Sequence, residues 1–285
     1  MYSKKIVQDI FNKNNIKWEV KDFGNYINPK CKTANSIYDK LFRLYNNKPN
    51  KKTFSIADSK IDDLLRMTII VDYNKVTTTI KTLKENFPDL TGYLQIEKAG
   101  YRGVHLNLKV DGLPCEIQLA PKIVVMAVDY LHNLYEKWRS FDYNKEILLI
   151  EERENTILNS VSNEQEKLNQ LNLLDNDKHI LEEKRQQELK DFKIRNKTYN
   201  EIFDIAGFSN YQLKINNQLE KINKEKSLPS LLTDEKLSNI LNTNLLTNGK
   251  LDKEKVKEVT ELIELNVASY QEKFVKLVKE CLNLQ

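Results

Sequence analysis

The sequence predicts an α+β fold, with a mixed sheet flanked by helices in the first half of the chain and an all-α C-terminal extension after it. Glycine and proline, which mark tight turns, are concentrated in the first half, where they separate short apolar runs. Few of them interrupt the second half, where apolar residues recur at steps of three and four. The first pattern indicates short strands and loops, and the second indicates long helices.

The first half opens with predicted helices and then alternates strand and helix. Apolar residues fall on one helical face in residues 4–14 and again in residues 36–45. Residues 65–71 are apolar and rich in β-branched side chains, which predicts a buried central strand. Residues 75–86 follow as a predicted crossover helix, so the local order is strand, helix, strand.

A β-hairpin is predicted over residues 105–119. Apolar and polar side chains alternate up to Asp111-Gly112, a hairpin turn pair, and a second strand continues from Pro114 to Leu119. Pro121 suits the first turn of a following helix, because proline needs no backbone N–H there. The first domain is predicted to close near Asn144.

The second half is predicted to be helical throughout. Residues 147–195 are charged and poor in strand-forming residues, with leucines at roughly helical spacing. Residues 256–281 predict one amphipathic helix, whose apolar stripe must be buried against the same chain or another protein. Breaks between helices are expected at residues 224–230 and 247–249.

Composition limits the class of protein. The chain of 285 residues has a net charge of +4 without a block of like charge, so nucleic acid binding is permitted but not required. Its 3 cysteines are far apart, which supports neither a disulfide framework nor a zinc site and favours a cytoplasmic location. No apolar run approaches the roughly 20 residues of a membrane span, so no membrane is expected. Two domains are predicted, 1–144 and a regulatory or partner-binding helical extension, 145–285.

Three carboxylates are placed where they would serve a metal ion or a proton transfer. Asp62 and Asp63 lie directly before the predicted buried strand, and Mg²⁺ prefers a few such oxygen ligands together with phosphates. Glu116 alternates with apolar neighbours, so its side chain shares a face with Gln118. If that face lies beside Asp63, the carboxylates would bind a metal and abstract a proton. Otherwise the Asp pair caps a strand and Glu116 is an ordinary exposed residue.

Aromatic and basic side chains complete the candidate set. Tyr101, in the turn Gly100–Gly103, offers a ring for stacking on a flat base, or else it is a rim residue of a β-turn. A basic, hydroxyl-bearing helix start would bind phosphates with help from free backbone N–H groups, or would be an ordinary solvated face. Its members are Lys30, Lys32, Ser36 and Lys40. The common glycine-rich nucleotide-binding loops are absent from the sequence, so a nucleotide site would be of another kind.

In order and spacing, five segments resemble the synthetase domain of the RelA/SpoT-like family, which has a nucleotidyltransferase-type fold. That family transfers pyrophosphate from ATP to a ribose 3′-hydroxyl. The resemblance covers roughly residues 28–139. The segments are Lys30-x-Lys32-x-x-x-Ser36-Ile37-x-x-Lys40-Leu41, Asp63-Leu64-Leu65, Gly100-Tyr101-Arg102-Gly103-Val104-His105, Glu116-Ile117-Gln118 and His132-x-x-Tyr135-Glu136. No single segment is specific, but their combined order is.

The resemblance implies a magnesium-dependent ATP:nucleotide 3′-pyrophosphokinase and gives each segment a role. The basic segment, with Arg66, would bind the ATP phosphates. Asp63 and Glu116 would bind Mg²⁺, and Glu116 would also help to deprotonate the acceptor hydroxyl. Tyr101 would stack on the acceptor base. The remaining implied acceptor-binding residues are Lys98, His105 and Gln118.

The acceptor and the protein partners stay open. GDP or GTP would give a (p)ppGpp-type alarmone, whereas toxin-type members of the family modify the 3′ end of tRNA. Thr68 replaces a usual arginine, Ala120-Pro121 replaces Arg-Thr, and the basic loop is shortened at residues 95–98. These departures favour a toxin-like member, and an antitoxin or another protein would bind the helical half. The His-Asp pair of the family's hydrolase domain is absent from the sequence, so the chain would not remove its product.

Two other interpretations compete with the enzyme. The departures at Thr68 and Ala120 would suit a catalytically degenerate synthetase fold that binds a partner protein through its C-terminal helices. Alternatively, the chain is a helical scaffold whose first half is an unrelated α/β domain, and the order of the segments is coincidental. Release of AMP from ATP would distinguish the enzyme from both.

Overall fold

The computed structural model describes residues 2–21, 24, 26–46, 52–59, 61–139, 141–225 and 234–284. Its helices are α1 (Tyr2–Lys13), α2 (Ala34–Asn46), α3 (Ile56–Ser59), α4 (Tyr73–Asn86), α5 (Lys122–Trp138), α6 (Tyr143–Ser160), α7 (Glu164–Ile205), α8 (Phe208–Lys224), α9 (Glu235–Asn242), α10 (Lys253–Val267) and α11 (Tyr270–Leu282). Its strands are β1 (Tyr26–Cys31), β2 (Leu65–Ile70), β3 (Thr91–Ile96), β4 (Arg102–Val110), β5 (Leu113–Ala120), β6 (Leu246–Thr247) and β7 (Lys250–Leu251). The chain is therefore α+β, with a helical C-terminal region, as the sequence predicts.

Among the described residues, five strands form one mixed sheet in the order β1-β2-β5-β4-β3. The pair β2 and β5 is parallel, and the other neighbouring pairs are antiparallel. The helix α4 connects β2 to β3 at the far edge, which confirms the predicted strand, helix, strand order. The predicted hairpin is also confirmed, because Asp111 and Gly112 have the positive φ angles, 49° and 85°, that a tight two-residue turn requires.

The two faces of the sheet differ in chemistry, because side chains alternate along each strand. The apolar face packs against α8 and α11, which in turn contact α4. At Gly92, an added Cβ atom would lie 2.8 Å from a methyl group of Leu219 on α8, so this contact requires glycine. The buried side chains of the apolar face include Leu65, Met67, Ile69, Leu106, Leu108, Cys115, Ile117 and Leu119. The opposite face is polar.

The prediction of a single helix over residues 256–281 is wrong. The chain turns at Ala268 and Ser269, so that α10 and α11 are separate helices. The apolar stripe is nevertheless buried in this chain, because α10 packs against α2 and α9 while α11 packs against α4 and β1. The buried members are Val256, Val259, Ile263, Val267, Phe274 and Val278. Of the two options that the sequence leaves open, the same chain covers the stripe.

The prediction of an all-α C-terminal extension is wrong at residues 246–251, where two short strands pair, and the other helical predictions are confirmed. The charged segment after residue 144 forms α6 and α7, and α7 is 42 residues long. The helix α8 ends at Lys224 and is followed by Glu225 in an extended conformation, and residues 226–230 of the predicted break lie outside the described residues. The break at 247–249 is the turn of the short β6–β7 hairpin, where Asn248 and Gly249 have positive φ angles. Among the described residues, none of the helices combines the length and the apolarity that crossing a bilayer requires.

The chain divides into two compact units. The first comprises Met1–Val20, Glu97–Tyr101 and Met126–Ile202, and the second comprises Lys21–Ile96, Arg102–Val125 and Phe203–Gln285. Each unit draws on residues from both sides of position 144. Compactness does not test independent folding, so a domain division at residue 144 stays a prediction.

The first unit is held together by contacts among helices. Phe11 of α1 packs against Tyr130 of α5, with ring centroids 5.6 Å apart. A second cluster joins α6 and α7 through Ile150, Leu174 and Leu181. These helices bury their periodically spaced apolar residues on the sides that face each other.

Candidate active site

The polar face of the sheet, in the second unit, brings together several of the predicted site residues. Residues in register on adjacent strands share a face, so their side chains form rows across the sheet. One row contains Lys30, Arg66, Glu116, Asn107 and Thr91. The next row contains Thr68, Gln118, His105 and Tyr93. Residues far apart in the sequence thereby become neighbours.

Glu116 is the centre of a buried hydrogen-bonded cluster. Its Oε1 accepts a hydrogen bond from Nε2 of Gln118 at 2.8 Å, and its Oε2 lies 3.1 Å from Nδ1 of His105. Only 6% of Glu116 and 4% of His105 are exposed. The option of an ordinary exposed strand residue is therefore excluded.

The electrostatic environment keeps Glu116 ionised. Burial alone would raise the pKa of Glu116, but the hydrogen bond from His105 and the guanidinium of Arg66 outweigh it, and the pKa is lowered overall. The Nε of Arg66 lies 3.9 Å from Oε1 of the carboxylate. Because an ionised carboxylate can only accept hydrogen bonds, Nδ1 of His105 carries the proton in this contact.

Asp63 forms a second cluster with two of the predicted phosphate-binding lysines. Its carboxylate oxygens lie 2.6 Å from Nζ of Lys32 and 2.8 Å from Nζ of Lys40. Lys32 directly follows β1, where its backbone N–H donates to the carbonyl of Leu64, and Lys40 reaches the same carboxylate from α2. Asp63, which is predicted to bind a metal ion, thus contacts Lys32 and Lys40, which are predicted to bind phosphate.

Burial and pairing shift the pKa values in this cluster. Burial alone would raise the pKa of Asp63, but the ammonium groups of Lys40 and Lys32 outweigh it and hold the pKa well below its ordinary range. Burial lowers the pKa of Lys32, and Asp63 opposes that change only in part. Asp63 is therefore a carboxylate at neutral pH.

Substitution of Asp63 by asparagine should change how stability depends on pH. The pKa of Asp63 is lower in the folded protein than in an unfolded chain, where it is about 4. Its ionisation therefore stabilises the fold at neutral pH, and this contribution is lost as the pH falls below about 4. Urea unfolding at a series of pH values should show Asp63→Asn to be less stable than wild type at pH 7, with a difference that shrinks in acid. The exposed Asp9→Asn is the control, and a difference that stays constant down to pH 2 would contradict the assignment.

The start of α2 is already capped, contrary to the prediction of free backbone N–H groups there. The N–H of Ser36 donates to Oγ1 of Thr33 at 3.3 Å, and the N–H of Ala34 donates to a carboxylate oxygen of Glu264 on α10 at 2.6 Å. Thr33 fits the preference for threonine before a helix, so the sequence carries a signal for it. Glu264 is 230 positions away and has no such signal. Ser36 and Lys30 remain exposed beside this end of the sheet.

Tyr101 and Lys98 belong to the first compact unit, where α7 holds their loop. The carbonyl of Lys98 accepts a hydrogen bond from Nδ2 of Asn196 at 2.9 Å, and the ring of Tyr101 packs edge-on against buried Tyr199. Gly100 has a φ of +91°, and an added Cβ atom would lie 3.1 Å from the carbonyl oxygen of Asn196. The ring that the sequence assigns to the acceptor is therefore packed against a helix. His132, in the last of the five segments, also lies in this unit and contacts Glu136.

Tyr93 is the aromatic residue on the polar face, and the sequence analysis missed it. Its ring is stacked on the imidazole of His105, with centroids 5.1 Å apart and planes within 11°. Burial, followed by the charges of Glu116 and Asp63, raises the pKa of Tyr93 to about 12. The contact depends on the register of β3 against β4, which no local pattern in the sequence reveals.

A magnesium ion would find suitable donors on this face, although they are paired in this structure. Asp63 contacts lysines through both oxygens, and Glu116 is bound by Gln118 and His105. The described part of the chain contains no group of three or more His, Cys, Asp or Glu side chains arranged to hold a metal. Mg²⁺ that arrives with nucleotide phosphates needs only one or two carboxylates, because phosphates and water complete its coordination. The donors therefore fit an ion bound together with ATP.

Comparison of the chain with protein-family models, with curated proteins and with solved structures gave no match. The resemblance to the RelA/SpoT-like synthetases thus rests on the five segments and stays a prediction.

Proposed function

We propose that this chain is an ATP-dependent pyrophosphokinase built on a nucleotidyltransferase-like sheet, and that it transfers the β,γ-pyrophosphate of ATP to a ribose 3′-hydroxyl. The acceptor would be GDP, GTP or the 3′ end of tRNA. The observation that carries the proposal is the buried, ionised Glu116 on the polar face. Burying a charge is unfavourable unless it is paired, and here the pairing comes from the buried His105, from Gln118 and from the half-exposed Arg66. An ionised carboxylate kept in this way suits acid–base chemistry.

In this proposal Glu116 accepts the proton of the acceptor 3′-hydroxyl. As the hydroxyl oxygen bonds to the β-phosphorus of ATP, the bond from that phosphorus to the α-phosphate oxygen breaks, and AMP leaves. His105 and Gln118 fix the orientation of the carboxylate through the contacts described above. Its lowered pKa keeps it ready to take a proton, although it also makes it a weaker base.

The cations near the start of β2 would bind the triphosphate. Lys32, Lys40 and Arg66 supply three positive charges near the start of β2, and phosphates would compete with Asp63 for the two ammonium groups. Positioning and charge neutralisation account for most of the catalysis of phosphoryl transfer. Mg²⁺ bound with ATP at Asp63 and Glu116 would add to the neutralisation of the phosphates.

The alternative, a protein-binding module, was assigned the apolar stripe of residues 256–281 as its binding surface, and this stripe is not exposed. The apolar stripe of residues 256–281 is buried against α2, α9, α4 and β1 of the same chain. A partner would have to bind elsewhere, and no observation on the polar face favours that. The enzyme is therefore the better-supported proposal.

Transfer of labelled pyrophosphate tests the proposal. Incubation with Mg²⁺ and ATP labelled in the β-phosphate, with GDP, GTP or tRNA, should move the label to one acceptor and release an equal amount of AMP. The matched control is the same acceptor lacking its 3′-hydroxyl, which should receive no label. Absence of AMP with all three acceptors, or release of ADP alone, would overturn the proposal.

A further inference from the structure

We propose that Tyr93 is a positioning residue for the transfer reaction: its ring covers the imidazole of His105, and the covered imidazole holds the carboxylate of Glu116 in one orientation. This inference rests on the proposed function and deepens it, because Glu116 accepts the proton in that reaction. It assigns His105 to the support of Glu116, in place of the acceptor contact that the resemblance implies. The juxtaposition that carries it is the unbroken series of contacts from Tyr93 through His105 to Glu116.

His105 lies between the other two side chains of this series. On one side the rings of Tyr93 and His105 are stacked, with centroids 5.1 Å apart and planes within 11°. On the other side Nδ1 of His105 lies 3.1 Å from Oε2 of Glu116. The strand register produces this order, because His105 on β4 is opposite both Tyr93 on β3 and Gln118 on β5. Tyr93 therefore reaches Glu116 only through the imidazole.

The three side chains differ in exposure. Tyr93 is 44% exposed, whereas His105 is 4% exposed and Glu116 is 6% exposed. Tyr93 lies on β3, which is the edge strand of the sheet, so its ring is the outermost of the three groups. Its stacked ring takes the place of water on one face of the imidazole. A side chain as buried as His105 is poorly placed to bind a nucleotide directly.

Exclusion of water matters because it strengthens the hydrogen bond from His105 to Glu116. Such a bond is stronger in a medium of low dielectric constant than in water. A second donor, Nε2 of Gln118, lies 2.8 Å from Oε1 of Glu116, so each carboxylate oxygen has its own donor. A general base must lie within hydrogen-bond reach of the proton that it accepts. Tyr93 would thus affect the reaction without touching the reactants, by keeping the imidazole dry and in place.

The ring of Tyr93, rather than its hydroxyl, makes the contact with His105. Burial, followed by the charge of Glu116, raises the pKa of Tyr93 to about 12, so the hydroxyl is neutral at physiological pH and adds no charge beside the carboxylate. Phenylalanine keeps the flat ring, and leucine removes it. Tyr93→Phe should therefore preserve the positioning, and Tyr93→Leu should abolish it.

NMR of the protein without substrates tests the shielding of the imidazole. In a chain labelled with nitrogen-15 in its histidines, the proton on Nδ1 of His105 should give a downfield resonance, because burial and the bond to a carboxylate slow its exchange with water. The other two histidines, His132 and His179, are exposed and should give no such resonance. The resonance should remain in Tyr93→Phe and disappear in Tyr93→Leu.

The kinetics of AMP release test the consequence for the reaction. Tyr93→Leu should lower kcat by about 10- to 100-fold, because a displacement of about 1 Å in a reacting group has effects of this size. The KM values for ATP and for the acceptor should change little, and Tyr93→Phe should restore kcat. The matched control is Ile96→Ala, which truncates an exposed side chain on the same strand and should behave as wild type in both measurements. Circular dichroism should show all the variants to be folded.

The outcomes separate this inference from the proposed function. Absence of the resonance from wild type, its persistence in Tyr93→Leu, or its loss in Tyr93→Phe would each overturn the positioning role. A rise in KM with an unchanged kcat would also overturn it, because Tyr93 would then bind a substrate. A resonance that depends on the ring of Tyr93, without AMP release by wild type, would retain the positioning of Glu116 and reject the transfer reaction. AMP release with a wild-type kcat in Tyr93→Leu would do the opposite.

Discussion

Glu116→Gln is expected to lower the rate of pyrophosphate transfer by about 10²- to 10⁴-fold while leaving the fold intact, because it removes the group that accepts the proton. Glutamine has the same shape as glutamate, and its amide oxygen can still accept from Gln118, while its NH2 group can donate to His105 once the imidazole moves its proton to the other nitrogen. The charge is lost, so the hydroxyl has no base and the phosphates lose one ligand for their counter-ion. The loss should appear in kcat measured by AMP release.

The control for this variant is Glu85→Gln, which makes the same chemical change on the exposed side of α4. It should transfer at the wild-type rate. Circular dichroism and urea unfolding should show both variants to be folded. A Glu116→Gln variant that transfers label at the wild-type rate would remove Glu116 from the mechanism.

Phe274→Ala is expected to destabilise the protein by about 3–5 kcal/mol, because it removes a fully buried aromatic ring and leaves a cavity. The ring lies on α11, which packs against α4 and β1. The midpoint of urea unfolding should fall sharply. Should this variant fail to fold, the smaller cavity of Val278→Ala should give a measurable loss of the same sign.

Lys276→Ala is the control on the same helix, because Lys276 is exposed and truncating it opens no cavity. It should change the unfolding midpoint little. An unchanged midpoint for Phe274→Ala would mean that the stripe of residues 256–281 does not pack in this chain. The interpretation in which those helices bind another protein would then return.

The periodicity of apolar residues predicts most helices and strands, because each element buries the apolar face that this spacing creates. It fails between α10 and α11, where apolar residues continue at steps of three and four through Ala268 and Ser269. No proline or glycine marks that turn. The helices bend there so that each can pack on a different element, which is tertiary information.

The candidate site, like the fold, could be predicted from the sequence only in part. Residue types and their order along the chain predict Glu116, Asp63 and the lysines as candidates, and the structure brings them to one region of the second unit. The sequence does not indicate which of these side chains contact each other. Neither the capture of Lys32 by Asp63 nor the stacking of Tyr93 on His105 has a local signature, because both depend on which strands become neighbours.

The packing of α11 against β1 also determines when this protein can fold. Cys31 of β1 and Gln271 of α11 are in contact although 240 positions separate them. At ribosomal rates of 5–20 residues per second, roughly 10 to 50 s pass between the synthesis of these two partners. During that interval the nascent sheet lacks the helix that covers part of its apolar face. Contacts of such long range are associated with slow folding, so the nascent chain is a natural client for chaperones until α11 emerges.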